Sequence, residues 1–204
     1  MSAPLGVILA GGRATRMGGG DKGRLMLADQ SLLDLVIARL KPQVSGIALN
    51  ANGDAARFAD TGLPVLPDSL AGHPGPLAGV LAGLDWAAEQ GADSIVSVAA
   101  DTPFFPGDLV SKLQAASGSM PLALAASRDG EGNLWRQPTF GLWPVALREE
   151  LRQALTDGLR KVVMWTDTHD AKTAEFPSAD FDPFFNVNTP EDLEAARAIY
   201  EAMA

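Results

Sequence analysis

The chain has 204 residues, of which 47% are apolar and 20% are charged, so we expect one folded domain spanning residues 1–204 rather than a disordered protein. It contains no cysteine, which excludes disulfide frameworks, thiolate zinc sites and cysteine nucleophiles and favours the reducing cytoplasm. A net charge of −9 argues against general nucleic-acid binding, and no apolar stretch predicts a membrane anchor or a signal peptide.

Strands and helices are predicted to alternate through the first part of the chain. Apolar runs predict short buried strands, at 5–10, 46–50, 64–66 and 94–100. Helical periodicity, supported by proline and glycine near the ends, predicts helices at 31–40, 76–90 and 106–116. This alternation predicts an α/β fold with a mainly parallel sheet and helices on both faces.

The second part of the chain continues this pattern less regularly. The further predicted elements are strands at 122–127 and 139–143 and helices at 145–155 and 190–203. Thr189 is expected to cap the last helix, with Pro190 in its first turn and Asp192 at the third position. The irregular stretch 127–138 is expected to be a mobile loop beside the site.

Phosphate binding is the main hypothesis for the glycine-rich tract that follows the first strand. The tract is not a P-loop, because Asp21 rather than a glycine precedes Lys22, and Gly23 rather than a hydroxyl residue follows it. The dinucleotide-type spacing at 18–23 lies too far from the strand and lacks the ribose-binding acid. Exposed N–H groups from residues 9–12 onward, with Arg16 and Lys22, would form an anion-binding nest. A glycine-rich surface turn with solvated charges is the alternative.

Oxygen-bearing side chains follow strands elsewhere in the chain. Asp101 ends a predicted central strand, where a carboxylate can hold Mg²⁺ against substrate phosphates. Its alternative role is to cap a turn. Asn186 and Asn188 stand two apart, so on an extended segment both amides point the same way and could complete a metal shell or bind phosphate. For Asn188, helix capping is an equal alternative.

Four segments of the chain together resemble the molybdenum cofactor guanylyltransferases, which are nucleotidyltransferases with a Rossmann-like α/β fold. The segments are, in order, LAGGRATRMGGGDK, PDSLAGHPGPLAG, AADTPFF and NVNTPEDL, and they span residues 9–193. The resemblance implies transfer of GMP from GTP to molybdopterin with Mg²⁺, releasing pyrophosphate. It implies that the N-terminal part binds the nucleotide and the C-terminal part molybdopterin.

The resemblance also implies which residues contact the ligands. The positions concerned are Leu9, Ala10, Gly11, Gly12, Lys22, Asn50, Asp68, Asp101, Asn186 and Asn188. Lys22 corresponds to the triphosphate lysine and Asp101 to the magnesium ligand. One departure is Gln137, where family members often have a histidine before the proline, and it puts the details of pterin binding in doubt.

Catalysis on this hypothesis consists of positioning and charge neutralisation. The terminal phosphate of molybdopterin is already an anion, so no strong general base is required. We expect Lys22, Arg16 and Mg²⁺ on Asp101 to neutralise the developing charge. Asp68 or strand-end carbonyls could select guanine through its N1–H and N2–H₂ donors, although Asp68 could equally cap the turn that follows it.

Two other functions remain as alternatives. A cytidylyltransferase for the same cofactor would share the fold, and a non-catalytic GTP-binding adaptor would deliver cofactor without transferring a nucleotide. Delivery to molybdoenzymes or their chaperones is a further expectation, while nucleic acid and membrane are not expected partners.

The residues with a possible pterin role are Trp135, Arg136, Arg160 and Lys161, and a zinc site at His73 or His169 is not expected.

Overall fold

The computed structural model describes residues 3–11, 21–70, 72, 75–178 and 180–203. The strands are β1 Leu5–Leu9, β2 Met26–Leu27, β3 Gln30–Ser31, β4 Ile47–Asn50, β5 Val65–Leu66, β6 Ser94–Ala99, β7 Ala123–Arg128, β8 Leu134–Pro144 and β9 Lys172–Phe176. The helices are α1 Leu32–Leu40, α2 Pro76–Glu89, α3 Leu109–Ala116, α4 Arg148–Thr156, α5 Val162–Thr168 and α6 Pro190–Met203. Short 3₁₀ turns lie at Lys22–Arg24, Lys41–Gln43, Ala55–Thr61 and Val145–Leu147.

Within the described residues, seven strands form one sheet in the order β5-β4-β1-β6-β8-β7-β9. The first four are parallel, β8 runs antiparallel to both of its neighbours, and β9 is parallel to β7. The prediction of a mainly parallel sheet is therefore confirmed. The ends of β4, β1 and β6, at Asn50, Leu9 and Ala99, lie side by side, and we call this boundary of the sheet the carboxyl edge.

Helices cover both faces of the sheet, as predicted. Val7 and Ile8 are adjacent in β1 and both fully buried, so their side chains point to opposite faces. Val7 packs in a core with Leu84 of α2, together with residues of α4 and α5. Ile8 packs in the other core with Leu33 of α1 and residues of α3. Each such side chain contributes about 1.5–3 kcal/mol through burial.

Helix α2 packs closely against strands β1 and β4 of the sheet. A Cβ atom on Gly79 would lie 2.1 Å from Asn50 Oδ1, and one on Gly83 would lie 2.6 Å from Val7 Cγ2. Any larger residue would push the helix away from β1 and β4. These glycines therefore keep the beginning of α2 beside the end of β4.

The expectation of a mobile loop at 127–138 is wrong for most of that stretch. Strand β7 continues to Arg128 and pairs antiparallel with β8, which already begins at Leu134. The turn between them is held by Asp129, whose Oδ1 accepts hydrogen bonds from the backbone N–H groups of Glu131 and Asn133, both at 2.9 Å. The glycine-rich tip is thus short, and the residues on either side form a hairpin.

Two elements near the carboxyl terminus were not predicted. Helix α5 comprises only seven residues, and β9 alternates exposed and buried side chains at the edge of the sheet. Helix α6 was predicted correctly, including its cap. Thr189 Oγ1 accepts from the N–H of Asp192 at 3.2 Å, and Asp192 Oδ2 accepts from the N–H of Thr189 at 2.9 Å. Among the described helices, none combines the length and apolar character needed to cross a membrane.

Candidate active site

A cleft of about 470 Å³ opens along the carboxyl edge. The predicted residues that line it are Leu9, Gly11, Asn50, Asp68, Asp101 and Asn186. Gly75 and Pro76 at the beginning of α2, together with Thr139 of β8, complete much of the wall. Ala10 has its side chain in the core instead, and its N–H donates to the carbonyl of Asn50 at 2.9 Å. The cleft is therefore built from the tails of four neighbouring strands and a helix N-terminus.

Lys22 is not a lining residue of this cleft, but it contacts Asp101, which lines the cleft after β6. Its Nζ is 3.5 Å from Asp101 Oδ2 and also donates a hydrogen bond to Asn188 Oδ1. The N–H of Val187 donates to the carbonyl of Asp101 at 2.9 Å, which ties the segment before α6 to β6. Three segments that are remote in the sequence thus meet at one cationic side chain.

Of the two roles left open for Asn188, the structure shows the capping role, and it adds a contact with Lys22 that was not predicted. Its amide oxygen accepts from Lys22, while its backbone N–H donates to Asp192 Oδ2 at 2.9 Å as part of the cap of α6. The cap therefore positions the amide that holds Lys22. Asn186 is exposed and lines the cleft, whereas Asn188 contacts Lys22.

Asp101 is a largely buried carboxylate, with 17% of its side chain exposed. Burial raises the pKa of its carboxyl group above the usual range, although the charge and hydrogen bond of Lys22 oppose that shift. Thr102 Oγ1 lies 3.5 Å from Asp101 Oδ1. A buried carboxylate of this kind gains from an additional cation, because the cation stabilises its ionised form.

Two arginines brace the turn that carries Lys22. Arg57 Nε lies 2.9 Å from Asp21 Oδ2, and Arg24 Nη1 donates to Asp60 Oδ2 at 2.7 Å. Both guanidinium groups lie over the ring of Phe58, at 4.8 Å for Arg57 and 5.2 Å for Arg24. Arg24 therefore has a structural role. Arg57 was not predicted as a site residue, because its ion-pair partner Asp21 is remote in the sequence.

Amide groups fix the orientation of Asp68 at the other end of the cleft. Asn50 is 5% exposed, and its Nδ2 donates to Asp68 Oδ1 at 2.9 Å and to the carbonyl of Leu66 at 3.1 Å. Asn52 Nδ2 donates to Asp68 Oδ2 at 2.7 Å, and Asn52 Oδ1 accepts from the N–H of Asp68 at 2.9 Å. Asn52 was not predicted as a site residue, although it lies two positions after Asn50.

Other candidates have different surroundings. Gly12, Arg16 and His73 lie outside the described residues. Trp135 and Arg136 are on the hairpin rather than in this cleft: Trp135 Nε1 donates to Asp129 Oδ2 at 2.8 Å, and Arg136 Nη1 donates to Asp167 Oδ1 at 2.5 Å.

Arg160 and Lys161 precede helix α5. The carbonyl oxygen of Arg160 is 4.0 Å from the position that a Cβ atom on Gly75 would take, so Arg160 lies beside the beginning of α2. Lys161 occupies the N-cap position of α5. His169 packs against the ring of Trp165, with 4.5 Å between ring centroids.

Comparison with known proteins identifies the family. A family model described as the MobA-like NTP transferase domain matches residues 6–171. A molybdenum cofactor guanylyltransferase from Bradyrhizobium sp. (strain ORS 278) is 50% identical over 197 residues, which cover 95% of this chain and 92% of the relative. This chain belongs to the molybdenum cofactor guanylyltransferase family. A guanylyltransferase of the same name from Cereibacter sphaeroides is 48% identical over 196 residues, covering 95% of each chain.

Solved structures confirm the nucleotidyltransferase fold. Molybdopterin-guanine dinucleotide biosynthesis protein A from Archaeoglobus fulgidus superposes with a TM-score of 0.71 at 23% identity, covering 98% of this chain and 100% of that one. A nucleotidyl transferase from Methanothermobacter superposes with a TM-score of 0.73 at 16% identity, covering 100% of both chains. At these identities the likeness concerns the fold alone.

In this guanylyltransferase family member, the family model stops short of part of the cleft. The matched range includes Lys22, Asp68 and Asp101, but it ends at residue 171. Asn186 lines the cleft and Asn188 holds Lys22, and both lie beyond that range. The segment after residue 171 therefore completes the cleft that the matched domain begins.

Proposed function

We propose that this protein transfers GMP from GTP to the terminal phosphate of molybdopterin, forming the molybdopterin guanine dinucleotide cofactor and releasing pyrophosphate. The observation that carries the proposal is the 3.5 Å approach of Lys22 to Asp101 at a cleft of nucleotide size. Membership of the guanylyltransferase family supplies the reaction class. A phosphate-binding cation and a carboxylate at one cleft are what phosphoryl-group chemistry needs.

The reaction requires one bond to form and one to break at the α-phosphorus of GTP. An oxygen of the molybdopterin phosphate forms the new P–O bond, and the bond to the β-phosphate breaks with its electron pair leaving on pyrophosphate. The attacking oxygen is already ionised, so the protein need not remove a proton. Lys22 neutralises charge on the phosphates, and the cleft holds the reactants in line.

The nucleotide and the acceptor would occupy opposite ends of the cleft. Guanine presents N1–H and N2–H₂ donors, and Asp68, held by Asn50 and Asn52, presents a fixed carboxylate that can accept both. The base therefore belongs at the β4 end. The acceptor phosphate then belongs near Asn186 and the C-terminal segment, so the C-terminal part of the single domain binds molybdopterin.

Magnesium would be held by Asp101. The carboxylate is largely buried at the carboxyl edge, and the amide of Asn186 lies along the same cleft, so the available donors are oxygens of the type Mg²⁺ prefers. Within the described ranges no three acidic or histidine side chains cluster as a metal site, so most ligands would come from phosphates and water. Bound there, Mg²⁺ would neutralise charge on the phosphates and the leaving group.

The test is a nucleotide panel with the purified chain, molybdopterin and Mg²⁺. We expect pyrophosphate release and formation of the guanine dinucleotide with GTP, and neither product when Mg²⁺ is withheld. Preferential use of CTP would instead identify a cytidylyltransferase. GTP binding without pyrophosphate release would identify a delivery adaptor. Transfer of the finished cofactor to molybdoenzymes or their chaperones, in the cytoplasm, is the step that we place after this reaction.

A further inference from the structure

A second cavity, of about 580 Å³, lies at the end of the β7–β8 hairpin and has no role in the mechanism above. Residues of the hairpin and of the segment around 180–182 line it. Gln137 lines this cavity, and Thr139, two residues along β8, lines the nucleotide cleft. Along the C-terminal segment, Asp182 lines the second cavity and Asn186 lines the nucleotide cleft. The two cavities are therefore neighbours on the carboxyl edge, joined by two stretches of chain.

A short relay of hydrogen bonds fixes a carboxylate in this second cavity. Gln137 Nε2 donates to Ser127 Oγ at 3.2 Å, and Ser127 Oγ donates to Asp182 Oδ1 at 3.1 Å. The backbone N–H of Phe184 donates to the same oxygen at 3.0 Å. From the residues that the structure describes, Asp182 Oδ2 accepts no hydrogen bond. One oxygen of Asp182 is thus anchored, and the other is left for a ligand.

Flat aromatic surfaces line the same cavity. Trp135 is 60% exposed, and its indole N–H is held by Asp129 at 2.8 Å, so the ring is fixed although it is open to solvent. Phe181 also lines the cavity and packs edge-on against Phe104, with 5.9 Å between ring centroids. Large exposed aromatic rings that are held in place offer stacking surfaces to planar ligands.

The charges of the cavity favour hydrogen-bond donors and oppose phosphate. Its two arginines are already paired, Arg128 with Glu175 at 2.6 Å and Arg136 with Asp167 at 2.5 Å. Three aspartates remain among the lining residues, at positions 129, 180 and 182. A phosphate group would be repelled here and attracted to Lys22, whereas a neutral ring rich in N–H groups would be accepted.

We propose that this cavity binds the pterin ring of the acceptor substrate, with its 2-amino group donating to the free Oδ2 of Asp182 and with Gln137 donating to its 4-oxo group. The inference rests on the proposed function. It gives the acceptor a defined direction, with the phosphate toward Lys22 and the pterin toward the hairpin. Pterin and guanine share the 2-amino-4-oxopyrimidine edge, so the chain reads the same pattern twice, at Asp68 and at Asp182.

Direct binding tests the assignment without requiring turnover. Pterin (2-amino-4-oxopteridine) is fluorescent, and its titration with the full chain should give saturable binding. Lumazine, which has an oxo group in place of the 2-amino group, should bind at least about 10-fold more weakly, because it loses a donor to the carboxylate. Asp182→Asn should weaken pterin binding by about 10-fold or more and leave GTP binding unchanged. Equal binding of pterin to Asp182→Asn and the unaltered chain would overturn the proposal.

Steady-state kinetics supplies the second test and separates the two proposals. Asp182→Asn should raise the KM for molybdopterin about 10-fold without raising the KM for GTP. The matched control is Asp170→Asn, which removes an exposed carboxylate paired with Lys172 before β9 and should change neither constant. An unchanged KM for molybdopterin in the Asp182 variant overturns the pterin assignment alone. Absence of GMP transfer by the unaltered chain overturns the proposed function instead.

Discussion

The two ends of the carboxyl edge each present a carboxylate, and they differ in how many of its oxygens the protein engages. Asp68, at the β4 end, accepts from Asn50 and Asn52 through both oxygens. Asp182, at the hairpin end, accepts from Ser127 through Oδ1. A carboxylate held at both oxygens cannot rotate, which suits discrimination between bases. A carboxylate held at one oxygen keeps a free acceptor for a larger ring.

Between these ends lies the charged centre of the site. Strand β6, which leads into Asp101, stands between β4 and the hairpin strands in the sheet, and Lys22 meets its tail. On the proposed function, the neutral, donor-rich ends of the substrates would face these carboxylates, and their phosphates would lie near Lys22. The comparison predicts that substitutions at the centre affect turnover, whereas substitutions at either end affect one substrate only.

The largest expected effect comes from the centre. Lys22→Ala removes the cation that faces Asp101, and turnover should fall about 10²–10³-fold because charge on the phosphates is no longer neutralised. Pyrophosphate release at saturating GTP and molybdopterin measures this change. Lys112→Ala, which breaks an exposed ion pair with Asp108 in α3, is the matched control and should keep normal turnover. Near-normal turnover in the Lys22 variant would remove that residue from the mechanism.

A smaller effect, confined to the nucleotide, is expected from Asp68→Asn. Losing charge-assisted hydrogen bonds costs about 1.5–3 kcal/mol, so kcat/KM for GTP should fall about 10–100-fold. The decrease should be smaller for ITP, which lacks the 2-amino group, so the preference for GTP over ITP should shrink. The KM for molybdopterin is the internal control and should not change. An unaltered GTP-to-ITP ratio would mean that Asp68 does not read the base.

Asn52→Ala tests the role of Asp68 indirectly and has a smaller expected effect. The variant removes a donor to Asp68 Oδ2 and an acceptor for its N–H, but Asn52 is exposed and water can replace part of both. We expect a cost of about 0.5–1.5 kcal/mol, seen as a higher KM for GTP with little change in kcat. Asn133→Ala, which removes an amide from the hairpin turn, should leave the KM for GTP unchanged. A lower kcat in the Asn52 variant would contradict a role limited to positioning Asp68.

Much of the nucleotide end and of the centre could be predicted from the sequence. Apolar runs identify β1 and β6, and the ends of parallel strands meet at one edge, so Leu9 and Asp101 had to be neighbours. The pairing of Leu9 with Ala99, two residues before Asp101, confirmed that these strand ends lie together. The cap of α6 was also readable, because Thr189 and Asp192 have the spacing of a capping box.

The hairpin end was less predictable for physical reasons. Periodicity indicates that a strand exists but not its direction, so the antiparallel placement of β8 could not be seen. Strand β9 lies at the edge of the sheet with three of its five residues exposed, which weakens any apolar pattern. Contacts such as Asp21 with Arg57 join an irregular turn to a distant 3₁₀ segment and leave no local signal.

The smallest expected effect concerns the ionisation of Asp129 in the hairpin turn. Hydrogen bonds from Trp135 and Asn133 lower the pKa of the exposed Asp129 carboxyl group from 3.8 to about 2. Because the folded form binds this proton less tightly than the unfolded form, the bonds stabilise the hairpin fully above pH 3.8. That contribution is lost as the pH falls from 3.8 toward 2.

The indole N–H resonance of Trp135 in NMR spectra reports this titration directly. Its shift should have a midpoint near pH 2, and Asp129→Asn, which cannot ionise, should abolish the shift without moving GTP affinity. A midpoint near 4 would mean that Asp129 does not hold the indole. The exposed ring would then be free to turn, and the hairpin end would lack the fixed stacking surface that distinguishes it from the nucleotide end.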